Sequence, residues 1–135
     1  MDLIDSVHIS AAGLAAQSAR MKVVAQNLAN AESIGTRSGA DPYRRQTITF
    51  QDSMNKEFGV PTVQASKIGT DKSDFVKKYE PTNPQADKDG FVMYPNVNPV
   101  MEMVDMQEAK RGYEANLNVI DASKSMYSDT LNLLK

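Results

Sequence analysis

Cysteine and tryptophan are both absent from this 135-residue chain, and histidine occurs once. Without cysteine there is neither a disulfide framework nor a thiolate metal site. No apolar run approaches the ~20 residues that a membrane-spanning helix needs. An excess of one charge is missing too. A net charge of −2 with 24% charged residues marks neither a nucleic-acid binder nor a polyacid. The opening Met-Asp-Leu-Ile-Asp is acidic where a secretory signal peptide is basic, so composition by itself points to a cytosolic protein. The length suits one domain or a little less than two.

Proline and glycine are nearly missing from the two ends. Beyond Pro99 there is no further proline, and Gly112 is the only glycine. Met103, Met106, Tyr113, Leu117, Ile120, Tyr127, Leu131 and Leu134 recur at steps of three, four or seven, which predicts one long helix with an apolar stripe. Glu102, Asp105, Glu108, Lys110 and Arg111 cluster early and mostly off that stripe. Such a helix is roughly 50 Å long and needs a partner of similar length. Leu3 to Ala31 supplies one, with no proline and only Gly13. There Ile4, Val7, Ala11, Leu14, Ser18, Met21, Ala25 and Leu28 alternate in steps of three and four, the pattern of a coiled-coil seam. Asp2 or Asp5 offers an early cap, and Ala12, Ala15, Ala16, Ala19 and Ala29 widen the seam into a small-residue surface. Alanines bury little area each, and isolated helices are marginal in water. The two terminal helices are therefore expected to pair and still to present surface to further copies or neighbours.

The first helix is expected to end near Asn27 to Ser33, with Gly35 and Gly39 as breakers. Between the helices the pattern changes to period two. Tyr43 to Phe50 reads as a strand, Gln51 to Phe58 as a short helical turn, and Val60 to Ile68 as an edge strand because of Pro61. Phe75 to Tyr79 and Phe91 to Tyr94 are two shorter strands, the second entered through Asp89-Gly90 and stopped by Pro95. The predicted fold is mainly α with a small β-rich insertion. It divides into an N-terminal helical part (1–34), the insertion (35–97) and a C-terminal helix (98–135).

Chemistry finds little to work with. His8 lies next to the seam with no positioned acid or hydroxyl, so a general base is not supported. Gln85 to Gly90 carries a D-x-D-G core, but Gln85 and Asn96 stand where a calcium loop needs its first and twelfth ligands, and no helix follows. A glycine turn into a strand explains it better. Glu80, Asp87 and Asp89 lie in a proline-rich loop without the aromatic platforms of a glycan hydrolase. There is no phosphate-cradling glycine motif and no nucleophile elbow. Arg44-Arg45 beside Tyr43 is too small a patch for nucleic acid, and suits capping a strand or meeting a neighbour's carboxylates. No enzyme, cofactor or metal is predicted. What is left are amides and lysines on or beside the seams: Gln26, Asn27, Asn30, Asn116, Asn118, Lys110 and Lys124. They are either solvated faces or buried amides that set register between neighbouring helices at some cost in stability.

Ala12-Gly13-Leu14 followed by Asn27-Leu28-Ala29-Asn30-Ala31-Glu32-Ser33 resembles the amino-terminal signature of bacterial flagellar axial proteins, the rod and hook family. That signature is roughly S-G-L, then N-[LI]-A-N-x-x-T. Here Ala12 replaces the serine and Ser33 the threonine. Pro42-Tyr43-Arg44-Arg45, Asp89 to Val92, Tyr94 to Asn98, Glu102 to Met106, Arg111 to Asn116, Ala122 to Tyr127 and Thr130-Leu131 follow in the order of one basal-body rod subunit of that family. The resemblance covers nearly the whole chain and is weakest across Gln51 to Phe75.

The resemblance implies a structural subunit of the proximal rod, its terminal helices paired as an antiparallel coiled coil lining a tube, with the β-rich middle outward. A heterologous, helical interface of this kind builds a filament segment instead of a closed dimer. It implies torque transmission from motor to hook around an export channel. The implied partners are other copies and neighbouring rod proteins, and the flagellar type III export apparatus during secretion. No nucleic acid, small-molecule substrate or membrane span is implied. It also implies a place in the basal body, on the periplasmic side, reached without a cleaved signal peptide, which overrides the cytosolic expectation. Phe50 to Met54 resembles the F-x-x-x-apolar export motif of related substrates. The residues expected to carry assembly are Leu14, Asn27, Leu28, Asn30, Tyr113, Asn116, Leu117 and Ile120. The alternatives are a sibling rod subunit, or a cytosolic helical adaptor or export chaperone.

Overall fold

A computed structural model describes residues 3–35, 41–55 and 59–133. Two long helices frame two small antiparallel sheets, and about half of the chain is helical. Helix α1 spans Leu3–Ala29, strands β1 to β4 span Gln46–Asn55, Val60–Thr70, Val76–Tyr79 and Phe91–Tyr94, and helix α2 spans Pro99–Leu133.

Both helix boundaries near the sheets are set by asparagine. At the end of α1, the Asn30 side chain donates to the Gln26 carbonyl at 2.8 Å and accepts from Ser33 Oγ at 3.2 Å, satisfying a carbonyl that the helix leaves open. At the start of α2, Asn98 Oδ1 accepts the Val100 and Met101 N–H groups at 3.1 and 3.4 Å. Pro99 follows as the first helical residue, where its missing N–H is no loss. The Asp5 side of the expected cap falls inside the first turn of α1. Asp2, Gly39 and Leu134 lie outside the described residues.

The first strand differs from expectation at both ends: Tyr43 to Arg45, predicted as its beginning, precede β1. Gln51 to Asn55 is not a helical turn but the continuation of β1, which pairs with β2 over its whole length from Gln46↔Thr70 to Asn55↔Val60; 56–58, the rest of that predicted turn, lie outside the described residues. The register shift opposite Thr49 and Phe50 leaves Ser66 of β2 as the extra residue, so the bulge and the break in alternation lie on β2. The hairpin lies along α1. Ala12, Ala15 and Ala16 line a cleft with Thr62, Val63, Gln64 and Ala65 of β2. Part of the alanine surface expected to widen the helix seam is thus the floor beneath a strand.

β3 and β4 form a separate ladder, Val76↔Tyr94 to Tyr79↔Phe91. Arg44 Nη1 donates to the Asp71 and Ser73 carbonyls, and Asn96 Nδ2 donates to the same two carbonyls and to Ser73 Oγ. These bonds tie the loop before β3 to the roots of β1 and α2. The Arg44 guanidinium also stacks 4.2 Å from the Phe75 ring centroid. Gly90 turns the chain into β4 at φ 81°, and an added Cβ there lies 2.9 Å from Tyr79 Cε2. We expect Gly90→Ala to cost about 1–2 kcal/mol from the left-handed backbone alone, read as a lower urea midpoint with unchanged m-value.

Candidate assembly surface

The chain's most buried polar cluster joins all three parts of the sequence. Asn27, near the end of α1, uses its amide fully. Nδ2 donates to the Gln46 carbonyl at 2.8 Å and to Glu102 Oε2 at 3.1 Å, while Oδ1 accepts the Gln46 N–H at 2.8 Å and the Tyr43 hydroxyl at 2.9 Å. An amide has no further donor to give. Glu102, one turn into α2, is 1% exposed and its other oxygen accepts from Arg45 Nε at 2.7 Å. Arg45 also faces Asp71 and Asp105, each at 3.8 Å, and Arg20 meets Asp105 and Glu108 at 3.3 and 3.4 Å. Burial, and then the charge of Glu102, raise the Tyr43 phenol above its ordinary value. The sequence places Glu102 among the charges off the apolar stripe. It is buried because Asn27 and Arg45 satisfy its carboxylate.

From this hub the helices run side by side in opposite directions. Gln17 packs at Gly112, Gly13 at Asn116, and Ser6 Oγ lies 2.9 Å from Ser123 Oγ. The α1 face that meets α2 therefore carries Ser6, Gly13, Gln17, Arg20 and Asn27, and buried Ser10 and Val24 complete the same alternation of threes and fours. This seam lies one residue from the predicted one, a turn of about 100° around the helix. Of the predicted seam, Ile4, Ala11, Ser18 and Ala25 are exposed and Val7, Leu14, Met21 and Leu28 only half-buried. The α2 side is alike, with Glu102, Ala109 and Ser123 its buried residues. Small and hydrogen-bonded side chains let the two backbones approach closely, and large apolar ones do not fit between them.

The apolar stripe of α2 is consequently left outside. Met103 is 51% exposed, Leu117 42%, Tyr127 55% and Leu131 47%. Val100, Met101 and Val104 add to it at the hub end. Towards the other end an open apolar cleft of about 360 Å³ lies between the helices, lined by Leu3, Ile4, Val7, Ile120, Ser123, Lys124 and Tyr127. The predicted assembly residues thus separate into two groups. Asn27, Asn30 and Asn116 are engaged within the chain, in the hub, the α1 terminus and the Gly13 contact. Leu117 faces solvent, while Leu14, Leu28, Tyr113 and Ile120 are half-buried beside the seam. Sequence reasoning missed Arg45, Glu102, Gln17 and the Ser6–Ser123 pair. A search for small and polar residues at three-four spacing would have found most of them.

Two of the candidate acids, Asp87 and Glu80, shape the chain around β4. Asp87 Oδ1 accepts the Asp89 and Phe91 N–H groups and so shapes the turn into β4. Glu80 accepts from Asn83 and from the Tyr94 hydroxyl, and those two bonds, in that order, lower its carboxyl below the ordinary value. Among the described residues no His, Cys, Asp and Glu group of three or more converges as a metal site, and no helix is long and apolar enough to cross a membrane.

A polar joint, a small-residue seam and an outward apolar stripe are features of a subunit built to pack against others, and comparison with known proteins agrees. Residues 88–133 match the family described as flagellar basal body rod FlgEFG protein C-terminal. Over 94% of this chain and 91% of the relative, the sequence is 48% identical to the flagellar basal-body rod protein FlgC of Agrobacterium fabrum. The FlgC proteins of Salmonella typhimurium, at 39% identity over 98% of both chains, and Bacillus subtilis, at 36% over the full length of both, are similar in the same way. The chain belongs to the FlgC family of flagellar basal-body rod proteins.

Proposed function

We propose that this chain is a structural subunit of the proximal rod, stacked helically around an export channel and carrying torque from motor to hook. The observation that supports this most is the division of the helices into two faces. The seam consumes the small and polar residues, so the large apolar ones remain for contacts between subunits. In this reading α1 and α2 form the antiparallel coiled-coil part (1–34 and 98–135), and residues 35–97 lie outward. Leu14, Leu28, Tyr113, Leu117 and Ile120 contact neighbouring copies and other rod proteins, while Asn27, Asn30 and Asn116 hold the shape that presents them. The subunit reaches the periplasmic side through the type III export apparatus without a cleaved signal, with Phe50 and Met54 on the hairpin as the export contact.

Rigidity follows from number. Burying one leucine contributes about 1.5–3 kcal/mol, and the contacts repeat around the tube, so no single site has to withstand the load. Deleting the gene should remove the rod and everything distal to it while leaving the membrane ring, and plasmid-borne protein should restore both. Intact hook–basal bodies in the deletion strain, seen by electron microscopy, contradict the assignment. A sharper expectation concerns Leu117→Asp. A charge placed on the outer stripe leaves the seam alone, so the variant should be exported yet incorporate into no rod. A swimming Leu117→Asp strain would remove the outer stripe from the assembly contacts.

A further inference from the structure

We propose that Gly13 and Gly112 are matched notches that fix how α1 sits against α2, each receiving an amide side chain from the opposite helix. A Cβ added at Gly13 lies 2.8–2.9 Å from the amide atoms of Asn116, and one added at Gly112 lies 3.1 Å from the amide of Gln17. The arrangement is reciprocal. Gln17 is one turn beyond Gly13 on α1, and Asn116 is one turn beyond Gly112 on α2, so the four residues form two crossed glycine–amide pairs. Asn116 Nδ2 donates to the Gly112 carbonyl at 2.8 Å, which folds its side chain along its own helix and into the Gly13 notch. Gln17 Oε1 is buried without a hydrogen-bond partner. What the structure shows for that amide is its packing against Gly112.

Other registers fail for a simple reason. Sliding the helices by one turn in one direction sets Gly13 opposite Gly112 and leaves a void. Sliding them the other way sets Gln17 against Asn116, two amides in one space. The hub anchors the helices at one end, and the notches carry that register into the far half. A polar side chain at a seam position is a known means of specifying register at some cost in stability. Here glycine supplies the complement. The inference holds whatever the paired helices assemble into.

The chain has no cysteine, so a single engineered pair reports the register cleanly. Ser6 and Ser123 touch through their hydroxyls at 2.9 Å, which places Ser6→Cys and Ser123→Cys within reach of a disulfide. Cross-linking of the full-length double-cysteine chain under brief diamide oxidation, read on a non-reducing gel, is the measurement. Gly13→Ala should slow it on the order of tenfold, and Gly112→Ala should slow it less. Adding Asn116→Ala should restore the rate in Gly13→Ala chains, and adding Gln17→Ala should restore it in Gly112→Ala chains. The mismatched combinations should restore nothing, which separates a filled notch from general misfolding. A parent pair that does not cross-link, a Gly13→Ala chain that cross-links at the parent rate, or mismatched rescue equal to matched rescue would each overturn the proposal.

Discussion

Asn27→Ala is expected to destabilise the chain by about 3–5 kcal/mol, a large share of the roughly 5–15 kcal/mol that holds a typical domain together. The side chain is 1% exposed and holds four groups at once, namely the Gln46 N–H, the Gln46 carbonyl, the Tyr43 hydroxyl and the Glu102 carboxylate. Alanine leaves them all in place and satisfies none. Unpaired buried groups cost about 1–3 kcal/mol each, and those that reach water recover part of it. Asn27→Asp should be at least as harmful although it keeps the shape, because it loses both donors and sets a second carboxylate beside Glu102. The exposed neighbour Gln26→Ala serves as the control and should stay within about 0.5 kcal/mol of the parent. Urea unfolding followed by circular dichroism decides the matter. An Asn27→Ala chain no weaker than Gln26→Ala would mean that the hub does not hold the helices to the strands.

The second large effect concerns the ion pair in the same cluster. Arg45→Met should cost about 3–5 kcal/mol, since it strands the buried Glu102 carboxylate with only Asn27 as donor. The double change Arg45→Met with Glu102→Leu should recover much of the loss, because two apolar side chains of similar volume need no partner. Arg45 also neutralises Asp105 and Asp71 at longer range, so recovery should be incomplete. A double variant weaker than the sum of the singles would show that the pair is not the unit of energy here, and that each partner matters chiefly through other neighbours.

These energies explain what the sequence disclosed and what it withheld. The helices were legible from missing proline and glycine, and β4 from Gly90 and Pro95 on either side of Phe91 to Tyr94. The seam was misplaced by one residue because periodicity was sought in large apolar side chains. In this pair the close contacts are made by Ser6, Gly13, Gln17 and Asn27, while Leu14 and Leu28, the residues that look like a core, stand beside them. Glu102 was hidden for a related reason. A carboxylate reads as surface until its partners are known, and Arg45 lies 57 residues away in the chain. The second half of β1 was obscured because Gln51 to Asn55 is polar but for Met54, so no alternation of apolar side chains marked it as a strand.

On loop entropy alone, the position of the hub favours one order of closing. Asn27 and Glu102 are separated by 75 residues, and Ser6 and Ser123 by 117. Bringing distant segments together has an entropic cost that grows with the logarithm of the loop. Once the hub has met that cost at the root of both helices, each further contact outward encloses only the few residues added since the last. In that order the two arms zip outward from the sheets, and the Ser6–Ser123 contact is expected to form after the hub. A pairing between residues at opposite ends of the sequence thereby becomes, in kinetic terms, a local one.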